Sequence, residues 1–184
     1  DMEIAAAGLA GSVAERGGHV HNVVMNLRKY GVQPTLSERL RLFFKYGRGG
    51  VERRGELRGP EVLRAARRLQ QGLPGRVSVD ILNLPIGEQP AASVNEDIHN
   101  PRFANDVRRV HLHVREAYAR HLEAGHGTSP MVFILPHIND AHFDHRITNK
   151  LYLEALSVLS RETGAEIDIL FYLAPWAGSF NTYY

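Results

Sequence analysis

The chain has no cysteine among its 184 residues. A disulfide framework and a thiolate zinc site are therefore both excluded, and any metal must sit on histidine and carboxylate ligands. Long apolar runs are missing as well. Nothing approaches the roughly 20 residues of a membrane span, and the first residues lack a basic segment followed by an apolar core. On these grounds the chain reads as cytoplasmic, with no membrane span. Excess charge of one sign is also lacking: 22 Lys and Arg stand against 20 Asp and Glu, a formal charge of +2. So balanced a chain does not point to nucleic acid as its partner. Arginines do concentrate between Arg39 and Arg76, in "VERRGELRG" and "LRAARRLQ", but arginines spaced through a helical pattern form a solvated face. Neither a glycine-rich dinucleotide fingerprint nor a phosphate-cradling loop occurs, which argues against a nucleotide cofactor. No tandem repeat or low-complexity segment is visible.

What is present is an ordinary globular composition, 43% apolar and 23% charged, in a length that suits one domain. The Ala-rich run from Glu3 to Arg16 predicts a helix that stops at Gly17 and Gly18, and "HVHNVVM" continues as a β-branched strand. A helix passing through a glycine turn into a strand is the second half of a βαβ unit, so its first strand is expected upstream of Asp1. Residues 27–56 read as an excursion from the core, with a capping-box-like Thr35 to Glu38 and a short apolar-periodic run to Tyr46. "LRGPEVLRAARRLQQG" predicts a helix with Pro60 in its first turn and Gly72 at its stop. "RVSVDILNLP" is the next strand, and a loop then leads to a helix from Asn105 to Leu122. Its histidines, His111, His113 and His121, suit surface or half-buried positions. "MVFILP", wholly apolar, predicts a central strand of a parallel sheet. "ITNKLYLEALSVLSRETG" is a further helix and "EIDILFYLAP" a further strand. The alternation of helix and strand with short connections predicts an α/β layer structure on a mostly parallel sheet, whose ligand site lies beyond the carboxyl ends of the strands.

One such end carries the chemistry. "HINDAHFDHR" leaves the strand "MVFILP" with His137, His142 and His145 beside Asp140 and Asp144. Imidazoles and carboxylates suit zinc, which in catalytic sites keeps an open position for water. His145 and Asp1 each stand at a helix start, and neighbouring crossovers would bring them to one metal. Asp144 lies two residues after His142, and a carboxylate beside an imidazole raises its pKa and fixes its tautomer. Spacing alone leaves the alternative open that this is a polar loop whose histidines cap a helix or meet solvent.

The residues also carry a family resemblance over nearly the whole chain. "HFDHR" at 142–146 resembles the HPDHR signature of the PIG-L (LmbE-like) zinc-dependent N-deacetylases, which act on N-acetylglucosaminyl compounds. The opening "DMEIAAAGLAGSVAERGGHVHNVVM" is similar to the segment that comes after the family's first motif, HPDDxE, and "GELRGPEVLRAARRLQ" to its third landmark. The resemblance implies a Rossmann-like three-layer sandwich with a mostly parallel sheet, a single domain over residues 1–184 that is incomplete at both ends, and a zinc cofactor or another divalent metal. It makes Asp1 and His145 metal ligands, with the family's other ligand histidine and its general-base aspartate upstream of Asp1. It makes His142 the group that assists the tetrahedral intermediate and Asp144 its orienting carboxylate. Arg58 becomes a substrate contact, Asn26 lines the pocket, and Asp140 stands where some members place a tyrosine near the acyl group. The implied reaction is hydrolysis of an N-acetyl or other N-acyl group on an N-acetylglucosamine-type conjugate, a small-molecule partner. Phe143 in place of the usual proline and "AAAG" in place of a glycine-rich turn bear on substrate identity. A non-catalytic carbohydrate-binding module of the same fold, an amidase of thiol-sugar conjugates, and a deacylase whose "LRLFFKYG" excursion lines a larger pocket are the competing readings. Homo-oligomerisation is left open.

Overall fold

The computed structural model describes residues 7–25, 36–48, 54–88, 96–126, 131–140 and 143–172. Its architecture is α/β, with helices and short parallel strands. The described elements fall into two compact units, one within Gly8–Gln89 and the other within Pro90–Tyr184.

In the first unit α1 (Ala7–Glu15) is rich in small residues and leads into β1 (His19–Val24). The turn between them is a glycine-terminated helix end. Gly17 sits at φ +82°, and its N–H donates to the Ala14 carbonyl at 3.1 Å while that of Gly18 donates to the Val13 carbonyl at 2.9 Å, which satisfies two carbonyls of the last turn. Ala10 and Ala14 are buried, and their small size lets another strand approach at backbone distance. The Gly75 N–H donates to the Ala14 carbonyl at 2.8 Å. A Cβ at Gly75 would lie 2.8 Å from the Ala14 Cα, so only glycine fits.

Two further helices follow, α2 (Leu36–Tyr46) and α3 (Arg54–Gln70). α3 starts earlier than expected, which places Pro60 inside the helix and not in its first turn. A proline removes one backbone donor and crowds the carbonyl four residues before it, a local penalty that does not fix where the helix begins. At its far end Gln70 stitches the helix to β2 (Arg76–Ile81). The amide donates to the Gly75 carbonyl at 2.6 Å and accepts from the Val77 N–H. β1 and β2 pair in parallel, from His19 opposite Arg76 to Val24 opposite Ile81. A short 3₁₀ turn, Pro85–Glu88, comes after β2 and buries Ile86 close to the buried Leu84.

The second unit is built on two long helices. A 3₁₀ turn, Pro101–Phe103, is capped by Asn100, whose side-chain oxygen accepts from the Arg102 N–H at 3.2 Å. It feeds α4 (Ala104–Glu123). β3 (Met131–Pro136), α5 (Phe143–Thr163) and β4 (Ile167–Tyr172) complete the unit. Phe103, Val110 and Val114 are buried, as are Ile147, Leu151, Ala155, Leu156 and Leu159. Those on α5 recur three and four residues apart, the spacing that puts them on one side of a helix. Burying each of the larger ones stabilises the fold by about 1.5–3 kcal/mol.

Two expectations are corrected here. β3 has one described neighbour, β4, in parallel register from Met131 opposite Ile167 to Pro136 opposite Tyr172. Val132 is 54% exposed. An all-apolar run states a tendency to be buried, not how many strands flank it. His113 is buried where a surface or half-buried position was expected, and the Tyr152 hydroxyl, 3.2 Å from Nδ1, gives its ring a polar partner there.

Candidate functional site

β3 ends at Pro136, and the chain beyond it is tied on both sides. The His137 N–H donates to the Tyr172 carbonyl at 2.8 Å, extending the parallel ladder past the strand. Asn149, buried on α5, donates to the Pro136 carbonyl at 2.7 Å. The loop then folds on itself: the Asn139 N–H donates to His137 Nδ1 at 3.1 Å, and the Asp140 N–H to the His137 carbonyl at 3.0 Å. His137 is thus a turn-forming residue, with its ring edge-on to Phe171.

This turn delivers Asp140 to a buried position, its side chain 1% exposed, 3.1 Å from Nδ1 of His145. His145 is the third residue of α5, on a side chain 12% exposed. The pair is at ion-pair distance when the imidazole is protonated. Asp144 stands one residue earlier in the first turn of α5, where its charge complements the helix dipole.

Four further residues lie around this pair: Arg146, which closes the "HFDHR" stretch, and Lys150, Glu96 and Tyr172, which no motif singles out. Arg146 donates to the Asp140 carbonyl at 2.8 Å through Nη1, and through Nε and Nη2 to Glu96 at 2.9 and 2.6 Å. Lys150, one helical turn on, donates to the other Glu96 oxygen and to the Glu96 backbone carbonyl, each at 3.1 Å. The hydrogen bond from Arg146, ahead of that from Lys150, holds the Glu96 carboxyl below its ordinary pKa against the opposing effect of burial. Tyr172, with its ring edge-on to His145 at 6.4 Å, is pushed up to about 12 by burial and then by the charge of Asp140. It therefore stays a neutral phenol at neutral pH. Arg146 and Lys150 share a face of α5 through their i, i+4 spacing, a signal legible in sequence. Glu96, 50 residues from Arg146, has no such signal.

Of the residues singled out from the sequence, Asp140 and His145 are brought together, and Asp144 stands beside them in the chain. Asp1, Asn26 and His142 lie outside the described residues. Arg58 belongs to α3, with its side chain outside the described ones. The first unit carries a separate polar cluster that the sequence did not single out. His21 of β1 lies 2.6 Å from Ser78 Oγ through Nδ1 and 2.9 Å from Asp80 through Nε2. Register explains it, since His21 is opposite Ser78 and Asp80 is two residues further on the same face.

No helix among the described residues is long and apolar enough to cross a membrane. No protein-family model matches the chain, and no curated protein matches it.

Proposed function

We propose that the chain is a zinc-dependent N-deacylase of the PIG-L (LmbE-like) kind, acting in the cytoplasm on an N-acetylglucosamine-type conjugate. The observation that carries the reading is the buried Asp140 against Nδ1 of His145, at the carboxyl end of a parallel strand. A carboxylate–imidazole pair there fits a metal ligand with its orienting partner. The strand pairing lends support to a Rossmann-like sheet. Neighbouring strands of such a sheet run parallel, and β1–β2 and β3–β4 are both parallel pairs.

In this reading His145 and Asp1 hold the metal, with Asp140 as a positioning residue for His145 and no longer a substrate contact. When bound, zinc polarises the acyl carbonyl and lowers the pKa of water for attack on it. His142, oriented by Asp144, stabilises the oxyanion and delivers a proton to the leaving amine. Arg58 and Asn26 orient the sugar conjugate. Tyr172, neutral beside His145, is a hydrogen-bond donor available at the same strand end.

The test is acetate release from N-acetylglucosaminides by the full-length protein, together with its zinc content by elemental analysis. His145→Ala is expected to lose zinc and at least about a hundredfold in rate, and Asp140→Asn to weaken zinc binding by about 10- to 100-fold while the chain stays folded. Equal zinc content in the parent protein and His145→Ala would sink the assignment.

A further inference from the structure

α2 is amphipathic and has its apolar side outward. Advancing about 100° per residue, Leu36, Leu40, Phe43 and Phe44 fall within an arc of roughly 100°, the width of a stripe that normally faces a core. Here the stripe is exposed: Leu36 by 75%, Leu40 by 48%, Phe43 by 49% and Phe44 by 82%. The Phe43 and Phe44 rings meet edge to face at 5.8 Å, so the aromatic contact is made within the stripe. The borders are basic. By the same angular advance Arg39 lies about 40° outside one edge of the arc and Arg41 about 60° outside the other, Lys45 lies nearly opposite with its ammonium over the Tyr46 ring, Arg48 lies just past the helix end, and Glu38 is the one acidic residue among residues 36–48.

We infer that α2 is an interfacial helix that lies in the plane of an anionic lipid surface, its Leu and Phe side chains among the acyl chains and its Arg and Lys among the headgroups. Charge decides between occupants. A second copy of the same stripe would bring four basic residues against four, which like-charge repulsion disfavours. An anionic bilayer satisfies the apolar arc and both basic borders at once. Eleven residues, about 16 Å of helix, cannot cross a bilayer but suffice to lie on one. Long basic side chains bordering a buried apolar face reach back to the headgroups. The expected attachment is peripheral and reversible, since a single short helix supplies one weak anchor. This inference stands apart from the deacylase reading and shares no residue with it.

The experiment is co-sedimentation of the full-length protein with vesicles of phosphatidylcholine alone or mixed with phosphatidylglycerol, at low and high salt. Binding to the mixed vesicles is expected to exceed binding to phosphatidylcholine by about tenfold or more, and to fall as salt screens the headgroups. Phe44→Glu is expected to reduce it to background, and Arg41→Glu with Lys45→Glu to cost at least about tenfold. Because these sites are exposed, the variants are expected to keep the parent protein's circular dichroism and thermal unfolding. Sedimentation equal on both vesicle types, absent on both, or unaffected by Phe44→Glu would overturn the inference. So would a lipid-free dimer that Phe44→Glu converts to monomer, which would assign the stripe to a second copy.

Discussion

The two units are held together by different means. The second has a side-chain core, in which α4 and α5 bury Phe103, Val110, Val114, Ile147, Leu151 and Leu159. Among the described residues of the first, few large side chains are buried, and Ala14 marks where backbones meet. Its joints are the Gly75 N–H on the Ala14 carbonyl and the Gln70 amide on the start of β2. A core of large side chains loses stability in proportion to the volume removed. A backbone-to-backbone joint tolerates no added atom, and it fails when one is inserted.

The strongest test of that difference is Gly75→Val, whose Cβ would meet the Ala14 backbone. It is expected to cost about 4 kcal/mol or more, with hydrogen exchange by mass spectrometry rising in β1 and β2 before β3 and β4. Leu151→Ala is the counterpart in the second unit, with a loss of roughly 3 kcal/mol in denaturant unfolding and faster exchange in β3 and β4 first. If each substitution loosened both units equally, the contrast would be lost. Gln70→Ala leaves the Val77 N–H without its side-chain acceptor, an expected cost of about 2 kcal/mol.

The smallest effects concern charge. Asp106 is buried, and burial, partly offset by Arg109, raises its carboxyl above the ordinary value of 3.8. The folded chain then holds that proton more tightly than the unfolded one. Its contribution is fully present below pH 3.8 and is lost as pH rises through the raised folded value. Asp106→Asn is therefore expected to melt about 2–5 °C higher than the parent protein at neutral pH, an advantage that vanishes in acid. Glu96 has the opposite sign. Its folded pKa is lowered, so its clasp on Arg146 and Lys150 contributes above the ordinary 4.5 and is lost as pH falls through the lowered value. Glu96→Gln should flatten the acid limb of the stability profile without raising neutral stability.

Much of the secondary structure was legible because its causes are local. Apolar spacing marks α4 and α5, Gly17 and Gly72 end helices, and the β-branched runs become β1 and β2. The short helical connections foretold parallel pairing, and both described pairs are parallel. Pro60 misled on where α3 begins, since a proline informs about one hydrogen bond only. The candidate site was legible as a place, the loop after β3, and only in part as a set of contacts. Asp140 and His145 could be named, but not their partnership.

What the sequence by itself determined is the succession of helices and strands and the grouping of His145, Asp144 and Asp140 at a strand's carboxyl end, because propensity, periodicity and chain connectivity act over a few residues. Only the tertiary structure decided that Asp140 turns inward onto His145, that Glu96 reaches Arg146 from 50 residues away, and that the apolar stripe of α2 faces outward. Burial and long-range pairing depend on which surfaces the chain's path leaves in contact, and no local pattern encodes that path.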